Sequence, residues 1–220
     1  MNKFFFIMKL TFLKKSICRI LQILELQRYF IKGKTVLEIG GSPCSKNNFH
    51  LFLKKNIYIK TYYADKYAKN TIKIDLEKKN NLTKKFDNIL VFNVIEHIFD
   101  TENSIKEIDT FLNKSGQLIG STPFIYRIHY APNDFLRFTH QYLEKILIKR
   151  FKYVTVKSLG FGPFVACYSL LFDFIKIIPF LANIFLAISI FLDFILSFFF
   201  KKNKLKTLYP VALFFYCKKK

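Results

Sequence analysis

The chain has 220 residues, room for one α/β domain with a full core and an extension. Its 36 Lys and Arg against 15 Asp and Glu give a formal charge of +21, but 28 Phe, no Trp and only 7 Gly accompany them. That is the bias of an AT-rich coding sequence, so the charge by itself does not argue for nucleic acid. Cys18, Cys44, Cys167 and Cys217 lie far apart with no CxxC pair and only 4 His beside them, which argues against a disulfide framework and against a metal site, and makes a reducing cytoplasm the expected compartment.

Residues 1–32 form a basic, apolar leader in which Phe4, Phe5, Phe6, Ile7 and Met8 are followed by no small-residue cleavage site, so it does not read as a signal peptide. Ile17, Ile20, Leu21, Ile23, Leu24 and Leu26 approximate a helical stripe with Arg19 and Arg28 outside it. Such a helix either packs on the domain or lies on anionic lipid. Residues 35–43, TVLEIGGSP, read as a short buried strand that ends in an acid and runs into a glycine turn. Thr35, Val36, Leu37 and Ile39 suit a strand covered on both faces, and Gly40 and Gly41 allow a sharp turn and close approach of a ligand. A plain tight turn explains the same residues.

From Thr35 onward strands alternate with helix-like segments, the pattern of a parallel sheet with helices on both faces. Strands are expected at 35–39, 58–64, 71–74, 86–92, 117–121 and 153–156, helices at 46–55, 101–112 and 140–151, and a last strand at 212–216. Asp65, in YYADK, closes the second strand, where an acid in a nucleotide-binding sheet accepts hydrogen bonds from ribose hydroxyls. Asp75, in IKIDL, ends the third and could reach an adenine amino group or a backbone amide. A cap or turn is the alternative role for both acids. The turn reads GGSPCS rather than G-x-G-x-x-G, which disfavours a nicotinamide-dependent dehydrogenase.

FDNILVFNVIEHI at 86–98 resembles the fourth strand and following turn of class I S-adenosylmethionine-dependent methyltransferases, and IKEIDTFLNKSG at 105–116 resembles the helix and turn leading to their fifth strand. STPFIYRIHYAPNDFLRFT at 121–139 is similar to a segment of the methyltransferase type 11 group, through Pro123, Phe124, His129, Pro132, Asp134, Arg137, Phe138 and Thr139. The resemblance covers about residues 33–160. It implies a Rossmann-like, doubly wound, seven-stranded sheet with the last strand antiparallel, and S-adenosylmethionine as cofactor. Carried over, Glu38 would orient the methionine moiety, Gly40 and Gly41 would let the backbone approach, Asp65 would hold the ribose, and Asn93 would border the methyl group, with Asp75 as a further cofactor contact. The family usually shows acid-x-Gly-x-Gly. Here Ser42 stands at the second glycine position and adds a Cβ there. Methyl transfer from a sulfonium asks for in-line positioning and, for a hydroxyl acceptor, a base. His129 and His97 are the candidates, with packing at a helix start the alternative for His97. Asp134 and Arg137 are expected to form a structural ion pair.

Residues 163–200 are mostly Leu, Ile and Phe, interrupted by Asp173, Lys176 and Asp193. The uncharged run 177–192 is shorter than the roughly 20 residues a spanning helix needs, and extending it to 200 includes Asp193. The last strand must return between the fifth and sixth strands, so the insert is expected to dip in as a hairpin or to lie in the interface, with a soluble helical cap whose apolar face packs on the core as the alternative. Basic residues on both sides suit two ends in the cytoplasm. The chain thus divides into a basic amphipathic helix (1–32), a methyltransferase core (33–160), an apolar membrane-associated insert (161–206), and a final strand with a basic tail (207–220). The expected function is methyl transfer to a small-molecule, sugar or lipid-linked glycan acceptor at the inner face of the cell membrane. An RNA methyltransferase and an inactive methyltransferase-fold partner protein are the alternatives. Scattered lysines without an RNA-binding module weigh against the first, and Glu38, Asp65 and the Glu96–His97 step against the second.

Overall fold

Val36, Leu37, Ile39, Ile89, Leu90 and Val91 are all buried, as residues of central parallel strands with both faces covered should be. The computed structural model describes residues 3–31, 33–53, 59–130, 132–200 and 202–219. In chain order the elements are α1 (Lys3–Phe12), α2 (Ile17–Leu26), β1 (Thr35–Ile39), β2 (Lys60–Ala64), β3 (Phe86–Phe92), α3 (Thr101–Thr110), β4 (Leu112–Pro123), α4 (His140–Ile148), β5 (Phe151–Leu159), α5 (Pro163–Ile175), α6 (Pro179–Phe199), α7 (Lys202–Leu208) and β6 (Ala212–Lys219). Single 3-10 turns occupy Phe49–Phe52 and Ile95–His97.

The sheet runs β2-β1-β3-β4-β6-β5. β1 pairs in parallel with β2 (Glu38 opposite Tyr63) and with β3 (Glu38 opposite Leu90), and β3 pairs in parallel with β4. Strand order reverses between β1 and β3, so the chain leaves their carboxyl ends in opposite directions and opens a crevice there. β6 enters between β4 and β5, as the topology argument requires.

Among the described residues the sheet has six strands, one of them antiparallel, and not the expected seven. The lost strand is 71–74, reduced to one bridge between Ile72 and Ala64. The chain turns on both sides of that bridge. Asn70 is left-handed (φ 56°) and the Thr71 hydroxyl donates to the Ala68 carbonyl (2.7 Å), while the Asp75 N–H donates to Asn80 Oδ1 (3.1 Å). Of the expected helix 46–55, the described part forms only the 3-10 turn, and residues 54–55 lie outside the described residues. So does residue 58 of the expected strand 58–64. Leu112 and Phe151, expected to end helices, instead begin β4 and β5.

The chain divides into two compact units. One comprises Glu25–Thr122, His129–Lys157 and Phe214–Lys220. Asp87 ties β1 to β3 within it: Oδ2 accepts from Lys34 N, Thr35 N and the Thr35 hydroxyl, and Oδ1 accepts from Asn113 Nδ2. Asp100 caps α3 by accepting from Asn103 N, and Thr139 caps α4 by accepting from Tyr142 N.

The other unit comprises Met1–Leu24, Pro123–Ile128 and Ser158–Leu213. Here α5 and α6 form an apolar hairpin, and α1 packs on α6. Asp193 of α6 is 2% exposed, and its two oxygens accept from Phe164 N and Val165 N in the first turn of α5, both at 3.0 Å. The acid that interrupts the apolar run therefore caps the neighbouring helix. By contrast Phe174, Ile177, Phe180, Phe191, Phe198 and Phe199 are 60–77% exposed. The expected N-terminal helix is two helices, broken where Lys14 adopts a left-handed φ of 57°. Ile17, Ile20 and Ile23 of α2 are wholly buried, whereas α1 exposes Phe4, Phe5 and Phe12.

Candidate active site

At the carboxyl ends of β1, β2 and β3 the chain forms a cavity of about 280 Å³, lined among others by Gly40, Asp65, Lys66, Asp75, Asn93, His97 and Phe135. β1 enters it through Gly40, whose φ is +78° and whose N–H donates to the Ala64 carbonyl (2.8 Å). A Cβ at Gly40 would fall 2.6 Å from Val94 Cγ2, so both the backbone angle and the space demand glycine. Gly41 and Ser42 are not in the wall. A Cβ at Gly41 would come within 2.9 Å of Glu38 Cγ. Asn48 bridges Ser42 through both backbone groups, accepting from its N–H (3.3 Å) and donating to its carbonyl (2.6 Å), and this fixes the turn.

Glu38 lies outside the cavity wall. It is 4% exposed, and its carboxylate accepts from Phe49 N (2.6 Å) and His50 N (3.1 Å), with His50 Nδ1 a further 2.6 Å contact. The acid thus braces the 3-10 turn against β1. Asp65 Oδ1 closes the turn by accepting from Tyr67 N and Ala68 N at 2.7 Å each, and the residue lines the cavity. Asp75 also lines it, and the Lys66 ammonium at 2.8 Å holds its carboxyl below the usual carboxylate range. Asn93 ends β3 in a left-handed conformation (φ 54°), with its N–H donating to the Ser121 carbonyl.

Beyond Asn93 the second 3-10 turn carries Glu96, wholly buried, and His97. The Glu96 carbonyl accepts from Phe135 N and Leu136 N, which fixes the 132–136 segment over this turn. His97 Nδ1 is hydrogen-bonded to the Asn133 carbonyl. His129 is outside the wall, but its ring meets that of His97 edge to face at 4.8 Å. Asp134 Oδ2 accepts from His129 N (2.8 Å) and from Arg137 (2.7 Å), so the expected ion pair is present. The Arg137 hydrogen bonds hold the Asp134 carboxyl down at about 2.

Gly40, Asp65, Asp75, Asn93 and His97 are therefore brought together at one cavity, and Glu38, Gly41 and His129 stand behind it. Lys66, Tyr67 and Phe135 were not expected in the wall. Lys66 follows Asp65 directly, but its pairing with Asp75 depends on the turn at 67–74 and has no sequence signal.

A doubly wound α/β sheet with a crevice at its switch point defines a nucleotide- or cofactor-binding class of protein. No protein-family profile matches the chain, and no curated protein matches it. Solved structures do. An S-adenosylmethionine-dependent methyltransferase from Archaeoglobus fulgidus is 15% identical with a TM-score of 0.56, over 91% of this chain and 94% of its own. The Burkholderia thailandensis 1,6-didemethyltoxoflavin-N1-methyltransferase, solved with its substrate and S-adenosylhomocysteine, is 11% identical with a TM-score of 0.55, over 94% of this chain and 80% of its own. The Haemonchus contortus phosphoethanolamine N-methyltransferase 2, in complex with phosphomonomethylethanolamine and S-adenosylhomocysteine, is 17% identical with a TM-score of 0.52 over 90% of this chain. The match spans about half of that protein's length, 52%. The chain has the class I S-adenosylmethionine-dependent methyltransferase fold.

Proposed function

We propose that the chain is an S-adenosylmethionine-dependent methyltransferase that works on a small-molecule, sugar or lipid-linked glycan acceptor at the cytoplasmic face of the membrane. The observation that carries this reading is the cavity at the carboxyl ends of β1–β3, with Gly40, Asp65 and Asn93 in its wall, in a chain of this fold. The residues present fit the cofactor: a Cβ would close the space kept at Gly40, and Asp65 offers an acid beside the cavity. Asp65 would hold the ribose, Gly40 would let the backbone meet the cofactor, and Asn93 would border its reacting end. Glu38 would act at one remove, by fixing the end of β1 through residues 49–50. When bound, the cofactor supplies an electrophilic methyl group on a sulfonium. His97 and His129, whose rings meet at 4.8 Å, are the candidates for taking an acceptor proton.

The membrane part rests on the hairpin. α6 is long and apolar enough to cross a membrane, with a window of mean hydropathy 2.2 of which 17% is buried. With Asp193 occupied at α5 and α1 adding three exposed phenylalanines, an interfacial hairpin fits better than a crossing.

Calorimetric titration of the detergent-solubilised protein with S-adenosylhomocysteine tests the reading. Binding on the order of micromolar is expected, weakened at least about tenfold (about 1.4 kcal/mol) in Asp65→Ala. A folded wild type that does not bind sinks it. The engaged carboxylate of Glu38 would then favour the second reading, a methyltransferase-fold partner protein without catalysis.

A further inference from the structure

Glu96, fully buried, holds one oxygen by hydrogen bonding: Oε2 accepts from the Thr122 hydroxyl at 3.3 Å. Its Oε1 is buried with no hydrogen-bond partner. Leaving a buried carboxylate oxygen so costs about 1–3 kcal/mol or more. Two imidazole nitrogens face it, His129 Nε2 at 3.6 Å and His97 Nε2 at 3.8 Å. Both distances are too long for hydrogen bonds. All three ligand atoms lie within 4.8 Å of one another. Ligand atoms around one tetrahedral ion, with bonds of about 2.0–2.1 Å, stand about 3.4 Å apart. A contraction of a few tenths of an ångström brings Glu96 Oε1 to that distance from each imidazole, and the two imidazoles, within 4.8 Å of each other, must close by more than an ångström as the ion is taken up.

The His97 ring is set to offer Nε2. The Asn133 carbonyl can only accept, so neutral His97 carries its proton on Nδ1 and keeps the Nε2 lone pair for Glu96's side. His129 Nδ1 lies 3.2 Å from Asp134 Oδ2, a carboxylate itself gripped by Arg137. The carbonyl behind His97 is the arrangement that orients a metal-bound histidine, and Asp134 stands within reach of His129 for the same role.

We propose that Glu96 Oε1, His97 Nε2 and His129 Nε2 bind one divalent first-row transition ion, of the zinc, manganese or cobalt kind. Two imidazoles and one carboxylate suit such an ion better than magnesium or calcium, which prefer oxygen ligands throughout. Three protein ligands leave at least one position open to an outside oxygen. His97 lines the cavity, so the ion borders it. The identity of the guest rests on the methyl-transfer reading: an acceptor bearing a hydroxyl, which the ion binds through oxygen and makes more acidic, its proton passing to solvent water. The imidazoles then act as ligands and not as bases.

The full-length chain in detergent, stripped with a chelator, is titrated with Co²⁺ and read by visible absorbance. One equivalent with d–d bands is expected, bound at least about tenfold more weakly by Glu96→Gln and by His129→Asn. Each sample is also titrated with S-adenosylhomocysteine, which reads the cofactor cavity separately. A wild type with its native circular dichroism that shows no cobalt bands overturns the ion site, as does binding that Glu96→Gln and His129→Asn leave unchanged. Cobalt bound as expected without S-adenosylhomocysteine binding supports the ion site and sinks only the methyl-transfer reading.

Discussion

Two buried acids carry most of the order around the cavity. Glu38 satisfies two backbone N–H groups, one at each oxygen, with the His50 ring also at Oε2, so Glu38→Ala would strand buried donors at about 1–3 kcal/mol each. A loss of about 3 kcal/mol or more is expected, read as a fall of roughly 6–12 °C in Tm at this chain length. Asp134 has its carboxyl lowered to about 2 from an ordinary 3.8 by Arg137. A depressed acid contributes stability that is complete above its unfolded value and is lost as pH falls through the folded one. Asp134→Asn should therefore lower the urea midpoint clearly near neutrality and much less near about pH 2.5; an equal gap at both would mean the pair contributes nothing. The sequence reading picked out Asp65 and Asp75 as strand-end acids and Asn93 through the methyltransferase resemblance. A strand-end position does not reveal that residues 49–50 present their N–H groups to Glu38.

At the level of elements, α5 and α6 are joined by the capping of one by the other. Asp193→Ala removes the acceptor for Phe164 N and Val165 N and should cost about 1–2 kcal/mol, seen as a lower Tm in detergent. Gly162→Ala should act in the same direction, because its Cβ would fall 2.6 Å from Asp193 Oδ1. If both variants melt with the wild type, the cap is not holding the hairpin. Elements set by hydrophobic runs were legible: β1 and β3 span the residues expected of them, and α3 begins at Thr101 as read. The strand at 71–74 was not, because its alternation is that of a strand while the turns at Asn70 and Asp75 leave it one bridge long. Nor was the break at Lys14 that separates α1 from α2.

For the whole molecule, the proposed membrane association rests on the exposed phenylalanines of the apolar hairpin. Each exposed phenylalanine that enters lipid contributes about 2 kcal/mol. Phe180→Glu with Phe198→Glu should then reduce flotation with anionic vesicles at least about 100-fold, whereas unchanged flotation would remove the hairpin from membrane binding. The position of β6 has a further consequence for how the molecule is made. Its two sheet neighbours, β4 and β5, are both translated before it, and α5 to α7 lie between Leu159 and Ala212. Translation of that stretch takes roughly 3–10 s. Through that interval β4 and β5 wait without the strand that joins them, while the greasy helices have already emerged. Newly made chains thus carry these apolar helices exposed before the sheet is closed.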